Sequence, residues 1–539
     1  MRLPCCRFVL PLVGLAALAA AGSCSKKSSG ADDEGGAAGE PSGGDGGAGG
    51  NEGGATGGGM GGALNTGGAR GGSSGSGGGG AGGAPDAGVD APAAPMPRAC
   101  KGAPKAGEGE GAQALRTDMA VRKVLDTPDD ATRLARDPIS QKLFLMTGNG
   151  TISRLDVAGQ TWSRTVVYNP SDIGLATGDQ AYGMAFAKDG TLYVVSHITK
   201  LQSATTSRAT VWKGTLAAGG ARTWNKMAQT AAYGRSNTIF NHEWSGIVVS
   251  PDGKFVYINA GSRTDHGEAH DGARESALTA KIFRLPTDKA GVINLPEDLV
   301  ALKAAGYVFA EGTRNSFDLE FAPNGDLLAG DNGPDADYHE ELNFLQEGKH
   351  YGYPWRLGNE DNQMQFPTYD INTDKRRDPE YEAIKKGYWH NDPAFPAKPA
   401  VTFVEPILNA GVGTQANQYR DPVDGMIKRG PIATFSDHGS PLGLTFDPDA
   451  GDLCGAFAGG AFILRNGRAA GNFEPGRDLL LLELTKENGS YKSVKVTQLV
   501  QSFQSPVDAV LTGSKMWVLD RGGNGVTGKL WEIDMPTGK

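Results

Sequence analysis

Two segments of the sequence combine residue types that can carry out acid–base chemistry or bind a cofactor. The first is NHEWSG (241–246), where His242 is the obvious base and lies next to a small turn. Imidazole titrates near neutral pH, so His242 is a candidate for accepting a proton from a substrate. The other interpretation is a structural histidine that caps a turn, and His242 taken by itself favours that interpretation.

The second segment spans four polar motifs, which are GTRN (312–315), DNGP (331–334), HEELN (339–343) and HYGYPW (350–355). Within it, Arg314 and Asn315 offer a fixed cation beside an amide. This pair suits holding an anion or polarising a carbonyl group. A salt bridge between neighbouring sheets is the structural alternative.

The DNGP motif and the acids that follow it form a candidate calcium site. Gly333 and Pro334 leave main-chain carbonyls free in an irregular turn. Acids follow within a few residues, namely Asp335, Asp337, Glu340 and Glu341. Oxygen ligands of this kind suit calcium, although a solvated acidic loop explains the same composition equally well.

The elements that must position these side chains are copies of one β-hairpin. The copies are LARDPISQKLFLMTGNG (134–150), YGMAFAKDGTLYVVSH (182–197), SGIVVSPDGKFVYINAGS (245–262), FDLEFAPNGDLLAGDNG (317–333), LGLTFDPDAGDLCGAFAG (442–459) and VDAVLTGSKMWVLDRGG (507–523). Their DG and NG turns favour tight hairpins, and the flanking apolar residues suit half-buried strands. Sheets arrayed around an axis bury these faces against each other. The sequence therefore predicts an all-β fold, a six-bladed β-propeller, whereas a pair of two-sheet sandwiches does not explain six evenly spaced hairpins.

The spacing of the hairpins also predicts how the folded region, residues 98–539, is organised. The gap between the fourth and fifth copies holds an insertion at about 356–436, which includes the helix-like stretch DKRRDPEYEAIKKG (374–387). A ring of blades closes when strands from the two ends of the domain pair. DMAVRKVLD (118–126) and GKLWEID (528–534) are the candidate strands.

The N-terminus predicts export and a tether. Residues 1–24 hold two arginines, an apolar run and Gly-Ser-Cys, typical of a lipoprotein signal peptide in which Cys24 is lipidated, although Ala21 stands where such motifs usually carry Leu. A plain signal peptide cleaved near 20–23 is the alternative. Residues 25–97 are Gly-rich with few large apolar side chains, which predicts a disordered linker. We expect an extracytoplasmic protein anchored by lipid to a bacterial membrane, with the outer membrane or cell surface favoured.

Composition argues against nucleic acid and covalent haem, and it leaves open whether two cysteines form a disulfide. The net charge is −9 and there is no basic block, so we expect no nucleic-acid binding. Without a CxxCH motif, the chain has no covalent c-type haem site. Beyond the N-terminal region only Cys100 and Cys454 remain, either as one disulfide of an exported protein or as two buried thiols.

The run 241–261, and more strongly GTRN…FAPNGDLLAGDNGP…EELNFLQEGKHYGYPW, resembles the soluble quinoprotein glucose dehydrogenases and their glucose/sorbosone dehydrogenase relatives. The resemblance covers about residues 241–356. It implies a six-bladed propeller that oxidises a sugar with pyrroloquinoline quinone (PQQ) and calcium, in which calcium polarises the quinone.

The resemblance also assigns roles to individual residues. It places His242 as the base that takes the proton of the sugar hydroxyl, and Arg314 and Asn315 as cofactor contacts. The carbonyls of Gly333 and Pro334 match the ligands of the calcium at the quinone. Two further positions, Glu341 and Tyr351, match those associated with a second, structural calcium.

Three positions depart from the family pattern. A Gly-Asp pair is here Gly261-Ser262, and a Gln-Gly pair is Phe317-Asp318. In the last blade, FQSPV (503–507) stands where quinone-binding members carry two arginines. Cations elsewhere that are able to replace the pair are Arg465, Arg468 and Arg521.

We therefore expect an extracytoplasmic oxidoreductase that oxidises a sugar or a related alcohol or aldehyde. One alternative is a non-catalytic propeller that binds carbohydrate or protein at the cell surface. A weaker one is a calcium-dependent lactonase-type hydrolase, which the acidic loops permit. The sequence specifies neither the sugar nor the electron acceptor.

Overall fold

A computed structural model describes the folded part of the chain. The described residues are 100, 111–199, 206–410, 418–448, 452–467, 476–522 and 525–538. The predicted signal peptide, the predicted linker, Cys24 and Arg468 lie outside them. Among the described residues, no helix combines the length and the apolar composition needed to cross a bilayer.

The described residues form eight sheets, and six of them are the blades of a propeller. The blades are antiparallel except where three short added strands pair in parallel. Blade 1 contains Ala131–Arg136, Leu143–Thr147, Ile152–Ala158 and Thr161–Tyr168. Blade 2 contains Asp179–Phe186, Leu192–Thr199, Thr206–Leu216 and Arg222–Thr230, with Tyr233–Gly234 and Ile293–Leu295 added at its edges. Blade 3 contains Trp244–Val249, Phe255–Ala260, Lys281–Pro286 and Val308–Glu311, extended by Lys349–His350.

The other three blades come from the second half of the chain and from its N-terminal strands. Blade 4 contains Asp318–Phe321, Leu327–Asp331 and Glu341–Leu345. Blade 5 contains Pro441–Phe446, Ala461–Arg465, Asp478–Glu487 and Ser490–Gln501, with Gln113–Ala114 and Leu408–Asn409 pairing along its last strand. Blade 6 contains Pro506–Thr512, Lys515–Asp520, Gly528–Asp534 and Ala120–Thr127.

Packing between blades holds the ring together. The first strand of each blade contacts the first strands of its two neighbours, in an order that returns from blade 6 to blade 1. The buried apolar side chains form one cluster at each interface between blades, for example Phe144 and Met146 of blade 1 against Val194 of blade 2. Because one hairpin has too few neighbours to bury its own faces, the core of the ring consists of these six layers. A seventh cluster, which includes Tyr338, Met364 and Trp389, packs the insertion. The predicted six-bladed propeller is confirmed.

The ring closes as the sequence predicts. Ala120–Thr127 pairs antiparallel with Gly528–Asp534, so that Ala120 faces Asp534 and Thr127 faces Gly528. This pairing inserts a strand from near the start of the domain into the last blade. A disulfide between Cys100 and Cys454 also ties the beginning of the domain to blade 5, which decides the open question about these cysteines.

Five of the six predicted hairpins pair as expected. In the remaining one, the fifth along the chain, the prediction of the second strand is wrong. In that hairpin, Pro441–Phe446 pairs with Ala461–Arg465 rather than with the predicted 452–459. Residues Gly455–Phe457 form a 3-10 turn next to Cys454. The strand falls on AFILR because all five of its side chains are buried, whereas DLCGAFAG is rich in small residues and held by the disulfide.

The region between blades 4 and 5 folds mostly as loops over one end of the propeller. It contains two small hairpins, Arg356–Leu357 with Glu360–Asp361 and Gln418–Arg420 with Ile427–Arg429. It also contains the 3-10 turn Gln363–Gln365 and the short α-helix Glu382–Lys385. The helix is much shorter than the helix-like stretch 374–387. Two short helices lie in other connections. Pro170–Ile173 lies between blade 1 and blade 2, and Leu299–Ala304 precedes the last strand of blade 3.

Candidate active site

The predicted site residues come from chain segments at the same end of blades 3 and 4. His242 precedes the first strand of blade 3, and Ser262 follows its second strand. Arg314 and Asn315 follow the last strand of blade 3, while Gly333 follows the second strand of blade 4. Strand direction alternates within a blade, so the start of a first strand and the end of a second or fourth strand lie at one end.

His242 is held against Ser262 by two contacts. Its main-chain N–H donates to the Ser262 carbonyl at 2.8 Å, and its ring Nδ1 lies 3.3 Å from Ser262 Oγ. Ser262 Oγ donates its single proton to the Thr264 carbonyl at 2.8 Å. The hydroxyl is therefore left to accept from His242, which assigns the proton of the ring to Nδ1 and leaves Nε2 as the basic nitrogen.

The surroundings of His242 keep it uncharged. Only 6% of its surface is exposed, and burial together with the nearby Arg314 cation holds its pKa well below the usual value. Ser262 supplies no negative charge to oppose this effect. Gly261 packs so closely that a Cβ atom there would lie 2.5 Å from His242 Cβ, which fixes the imidazole in place.

Arg314 is fixed by the loop that links the second and third strands of blade 3. Its Nε donates to the Asp265 carbonyl at 2.6 Å and its Nη2 to Asp265 Oδ1 at 2.8 Å. Its Nη1 donates to the Asn332 carbonyl at 3.0 Å. Asp265 itself is fully buried. The guanidinium is therefore rigid, and its charge is shared with a carboxylate.

Asn315 sits beside Arg314 and is also fixed. Its main-chain N–H donates to Asp331 Oδ1, and its side-chain Oδ1 accepts from Asn259 Nδ2 at 3.4 Å. The Asp331 carboxylate receives the Arg314 main-chain N–H at 2.9 Å on its other oxygen. Asp331 thus sets the backbone of the whole Arg-Asn turn.

Gly333, Pro334, Arg314 and Glu341 line one small cavity at this end of the propeller. Among the described residues, neither the Gly333 nor the Pro334 carbonyl accepts a hydrogen bond. Two oxygens without partners on a cavity wall suit a calcium ion. The structure therefore brings together four of the residues that the resemblance singled out.

Asp331 and Glu341 place two buried carboxylates opposite each other on neighbouring strands. Burial raises the pKa of Asp331 to about 6. Burial, and then the Asp331 charge, raise the pKa of Glu341 well above its usual value. A bound cation would relieve this repulsion, so the pair fits a calcium site.

Tyr351 lies apart from this pair. Its hydroxyl donates to the Phe344 carbonyl at 2.6 Å and accepts the Gln346 main-chain N–H at 2.8 Å. Its side chain therefore holds the turn after the last strand of blade 4. A metal role for Tyr351 stays a prediction.

The position of the missing arginine pair is occupied by neutral groups. The main-chain N–H groups of Gln504 and Ser505 both donate to the Asp520 carboxylate. Arg465 donates to Asp478 through two bonds of 3.0 and 2.7 Å, and its Nη1 donates to Ser436 Oγ at 3.4 Å. Arg521 donates to the Asp129 carbonyl at 3.3 Å.

Two groups at this end escaped sequence reasoning. Asp265 belongs to TDHGEAH (264–270), and its density of polar residues after a strand was the available signal. Asp437 and His438 lie just before the first strand of blade 5, in the segment that corresponds to the one carrying His242 in blade 3. Comparing blades position by position would have found them.

A sequence profile described as "Glucose / Sorbosone dehydrogenase" matches residues 125–396, more than half of the 539-residue chain. The chain belongs to the glucose/sorbosone dehydrogenase family. This match covers blades 1 to 4 and the first part of the insertion, including the residues predicted from the resemblance.

Known members and folds give the family context. Quinoprotein glucose dehydrogenase B of Acinetobacter calcoaceticus is 26% identical over 137 residues, which cover 22% of this chain and 27% of that protein. The chain thus spans little more than a quarter of that relative's length. The holo form of the pyranose dehydrogenase PQQ domain from Coprinopsis cinerea has a TM-score of 0.51 at 13% identity, covering 81% of this chain and 100% of that one. The apo form of the soluble aldose sugar dehydrogenase from Escherichia coli has a TM-score of 0.47 at 16% identity, covering 77% and 99%. At these identities the structural likeness concerns the fold.

Proposed function

We propose that this glucose/sorbosone dehydrogenase family member oxidises a sugar, or a related alcohol or aldehyde, with PQQ and calcium. The observation that carries the proposal is the neutral, oriented His242 at the same end of the propeller as Arg314 and the free carbonyls of Gly333 and Pro334. The names of two similar proteins, a quinoprotein and a PQQ domain, agree with this chemistry.

The chain's own residues supply binding, orientation and proton transfer. His242 Nε2 accepts the proton of the substrate hydroxyl, and Ser262 keeps the other nitrogen protonated. Arg314, locked by Asp265, presents a fixed positive charge. Bound PQQ would accept two electrons and calcium would act as a Lewis acid.

The fit to the cofactor is uneven. Calcium at the quinone fits the carbonyls of Gly333 and Pro334, and a second calcium fits the carboxylate pair of Asp331 and Glu341. At the carboxylate end of PQQ, the neutral Gln504 and Ser505 replace the arginine pair. We therefore expect PQQ to bind more weakly than in members that keep both arginines, since charge-assisted hydrogen bonds are lost.

The decisive experiment is reconstitution of the purified full-length protein. It is mixed with PQQ and Ca²⁺, PQQ binding is followed by absorbance, and dye reduction is measured with a panel of aldoses. We expect dye reduction that requires both PQQ and Ca²⁺. Absence of both quinone binding and turnover contradicts the proposal, and glycan-array binding by the same preparation would then favour a carbohydrate-binding propeller. Lactone hydrolysis that needs Ca²⁺ and no quinone would instead indicate a hydrolase.

We also propose that the protein is exported and anchored through a lipid on Cys24, because the signal-like segment ends in Gly-Ser-Cys. Expression in a bacterial host with a labelled fatty acid tests this. Label is expected in the wild type and in the control C100S, and not in C24S. Equal labelling of the wild type and C24S contradicts it.

A further inference from the structure

A second cluster of chemistry-bearing side chains joins Asp337, one of the acids after the DNGP motif, to two residues that the sequence analysis did not single out. Asp337 belongs to the loop between the second and third strands of blade 4, and Asp437 and His438 directly precede blade 5. All three are buried, with Asp437 only 1% exposed. The cluster therefore joins two parts of the chain about a hundred residues apart at the edge of the candidate active site.

The donor atoms of these three side chains are close enough to share one ion. One oxygen or nitrogen from each residue lies within 4.8 Å of the others. His438 Nε2 and Asp337 Oδ1 are 2.8 Å apart. Two ligands on one zinc ion lie about 2.9 to 3.4 Å apart at ordinary bond lengths and angles, so a small adjustment admits a metal between them.

Asp437 provides an independent indication of a ligand. Within the described part of the chain, neither of its carboxylate oxygens has a hydrogen-bond partner. A buried ionised carboxylate without partners is strongly unfavourable, so such groups are normally paired or bound to a metal. Here the unpaired carboxylate points at Asp337 and His438.

The charges around the cluster leave room for a cation. Arg420 pairs with the other oxygen of Asp337 at 2.6 Å and balances that carboxylate only. Glu340, also buried, adds a further carboxylate close to Asp437, and one of its oxygens has no partner among the described residues. Arg465 also lies near Glu340 and Asp437, but it is paired with Asp478. The three carboxylates of Asp337, Asp437 and Glu340 therefore outnumber the two remaining cations, Arg420 and His438.

We propose that Asp337, Asp437 and His438 bind a divalent transition-metal ion of the zinc type. An imidazole nitrogen with two carboxylates suits such an ion, whereas calcium takes oxygen ligands only. This site goes beyond the calcium predicted at Gly333 and Pro334, which involves other residues. Tyr381, whose hydroxyl lies 3.0 Å from Asp337 Oδ1, supports the ligand from a second shell.

Such an ion would fasten the insertion to the propeller. Asp337 comes from blade 4, whereas Tyr381 and Arg420 come from the insertion and His438 from its end. A metal that binds both sides fixes the loop that carries Gly333, because Glu340 packs against Gly333. The site thus has a structural role next to the proposed catalytic centre.

The test uses the full-length protein, freed of metal by a chelator and returned to buffer with excess Ca²⁺ to fill calcium sites. Co²⁺ is titrated and followed by visible absorption, then displaced by Zn²⁺. We expect one Co²⁺ per chain with a visible d–d band. D437N should weaken Zn²⁺ binding by more than about 100-fold, since even second-shell changes cost 10- to 100-fold. The control D424N, an acid on the same insertion but outside the cluster, should bind like the wild type, as should E341Q.

The outcomes separate cleanly. Absence of a Co²⁺ site in the wild type, or wild-type Zn²⁺ affinity in D437N, overturns the proposal. Because the Asp437 and Asp337 carboxylates lie close together and repel each other when both are charged, chelated D437N should melt no lower than the chelated wild type. Should D437N fail to fold, H438Q replaces it, and wild-type Zn²⁺ affinity in H438Q overturns the proposal equally.

Discussion

His242 and His438 both lie just before the first strand of a blade and have opposite electrostatic properties. Each is buried and directly precedes the first strand of its blade, blade 3 or blade 5. His242 faces the Ser262 hydroxyl and the Arg314 cation, and its pKa is held well below the usual value. His438 faces the Asp337 carboxylate, and its pKa is raised to about 9 although burial alone would lower it.

The comparison shows that the partner, rather than the depth of burial, decides the charge of a histidine in this fold. A hydroxyl can orient an imidazole without stabilising its protonated form, so His242 stays available as a base. A carboxylate stabilises the cation, so His438 in the metal-free protein is poorly suited to accept a proton at neutral pH. The five predictions below change one partner or one histidine at a time.

The largest expected effect is the loss of turnover in H242A. Removing the base should lower kcat by about 10² to 10⁴-fold, the usual contribution of general-base catalysis, while PQQ binding stays near the wild-type level. Steady-state dye reduction and quinone absorbance measure the two quantities. The matched control H390A alters an exposed histidine and should leave both unchanged. Unchanged turnover in H242A would remove His242 from the role of base.

The second prediction gives His242 the kind of partner that His438 has. In S262D the new carboxylate should raise the pKa of His242 by about 1 to 3 units. Because the base must be neutral, the acid limb of the kcat/KM profile should then move to higher pH, so that activity falls at pH 6 and recovers at alkaline pH. A pH–rate profile measures this. An acid limb at the wild-type position would mean that residue 262 does not control the charge of His242.

The third prediction concerns stability in the presence of a chelator. The pKa of His438 is raised in the folded protein, so its ion pair with Asp337 contributes stability that is fully present below about pH 6.5. This contribution, on the order of 3 kcal/mol for a shift to about 9, is lost as the pH rises through 9. H438Q should therefore be destabilised most at pH 6 and least above pH 9, measured by chemical unfolding. A difference that does not vary with pH would show that His438 is uncharged.

At His242, the effect of pH on the stability of the fold has the opposite sign. The pKa of His242 is lowered in the folded protein, so burying it neutral costs stability only as the pH falls below about 6.5. H242Q should consequently lose less stability than the wild type on acidification.

The smallest expected effect belongs to S262A, which removes the hydroxyl without adding charge. The lost hydrogen bond is long, so we expect kcat to fall by only about 3- to 10-fold, equivalent to about 0.5 to 1.5 kcal/mol. The acid limb should stay at the wild-type pH because Arg314 and burial are unchanged. A fall as large as that of H242A would mean that the hydroxyl does more than orient the ring.

Much of the fold was predictable because its signals are local. Gly253, for example, has φ +75° in the Pro-Asp-Gly turn of blade 3, and the turn sequence predicts this conformation. The ring-closing strands at 120–127 and 528–534 were also found from their apolar patterns. The strand 461–465 was missed because a turn signal close to Cys454 competed with it, and only pairing with 441–446 decides between the two.

The sequence predicted which residue types form the candidate site, but it did not predict which side chains contact each other there. The motifs around Arg314 and Gly333 drew attention to the correct loops, which line one cavity. Asp265, which fixes Arg314, lies 49 residues away in sequence, and Asp337 lies 101 residues from His438. Such pairs follow from the meeting of blades, which no local pattern encodes.

By itself, the sequence determined that the chain is a six-bladed propeller with polar loops at His242 and at residues 312–355, because turn chemistry and strand alternation act over a few residues. Only the tertiary structure decided that Cys100 bonds Cys454, that the Ser262 hydroxyl contacts the His242 ring, and that the buried Asp437 carboxylate oxygens lack a hydrogen-bond partner among the described residues. The physical reason is that charge state and pairing depend on distances of a few ångströms between groups from different blades. Those distances exist only once the ring has closed.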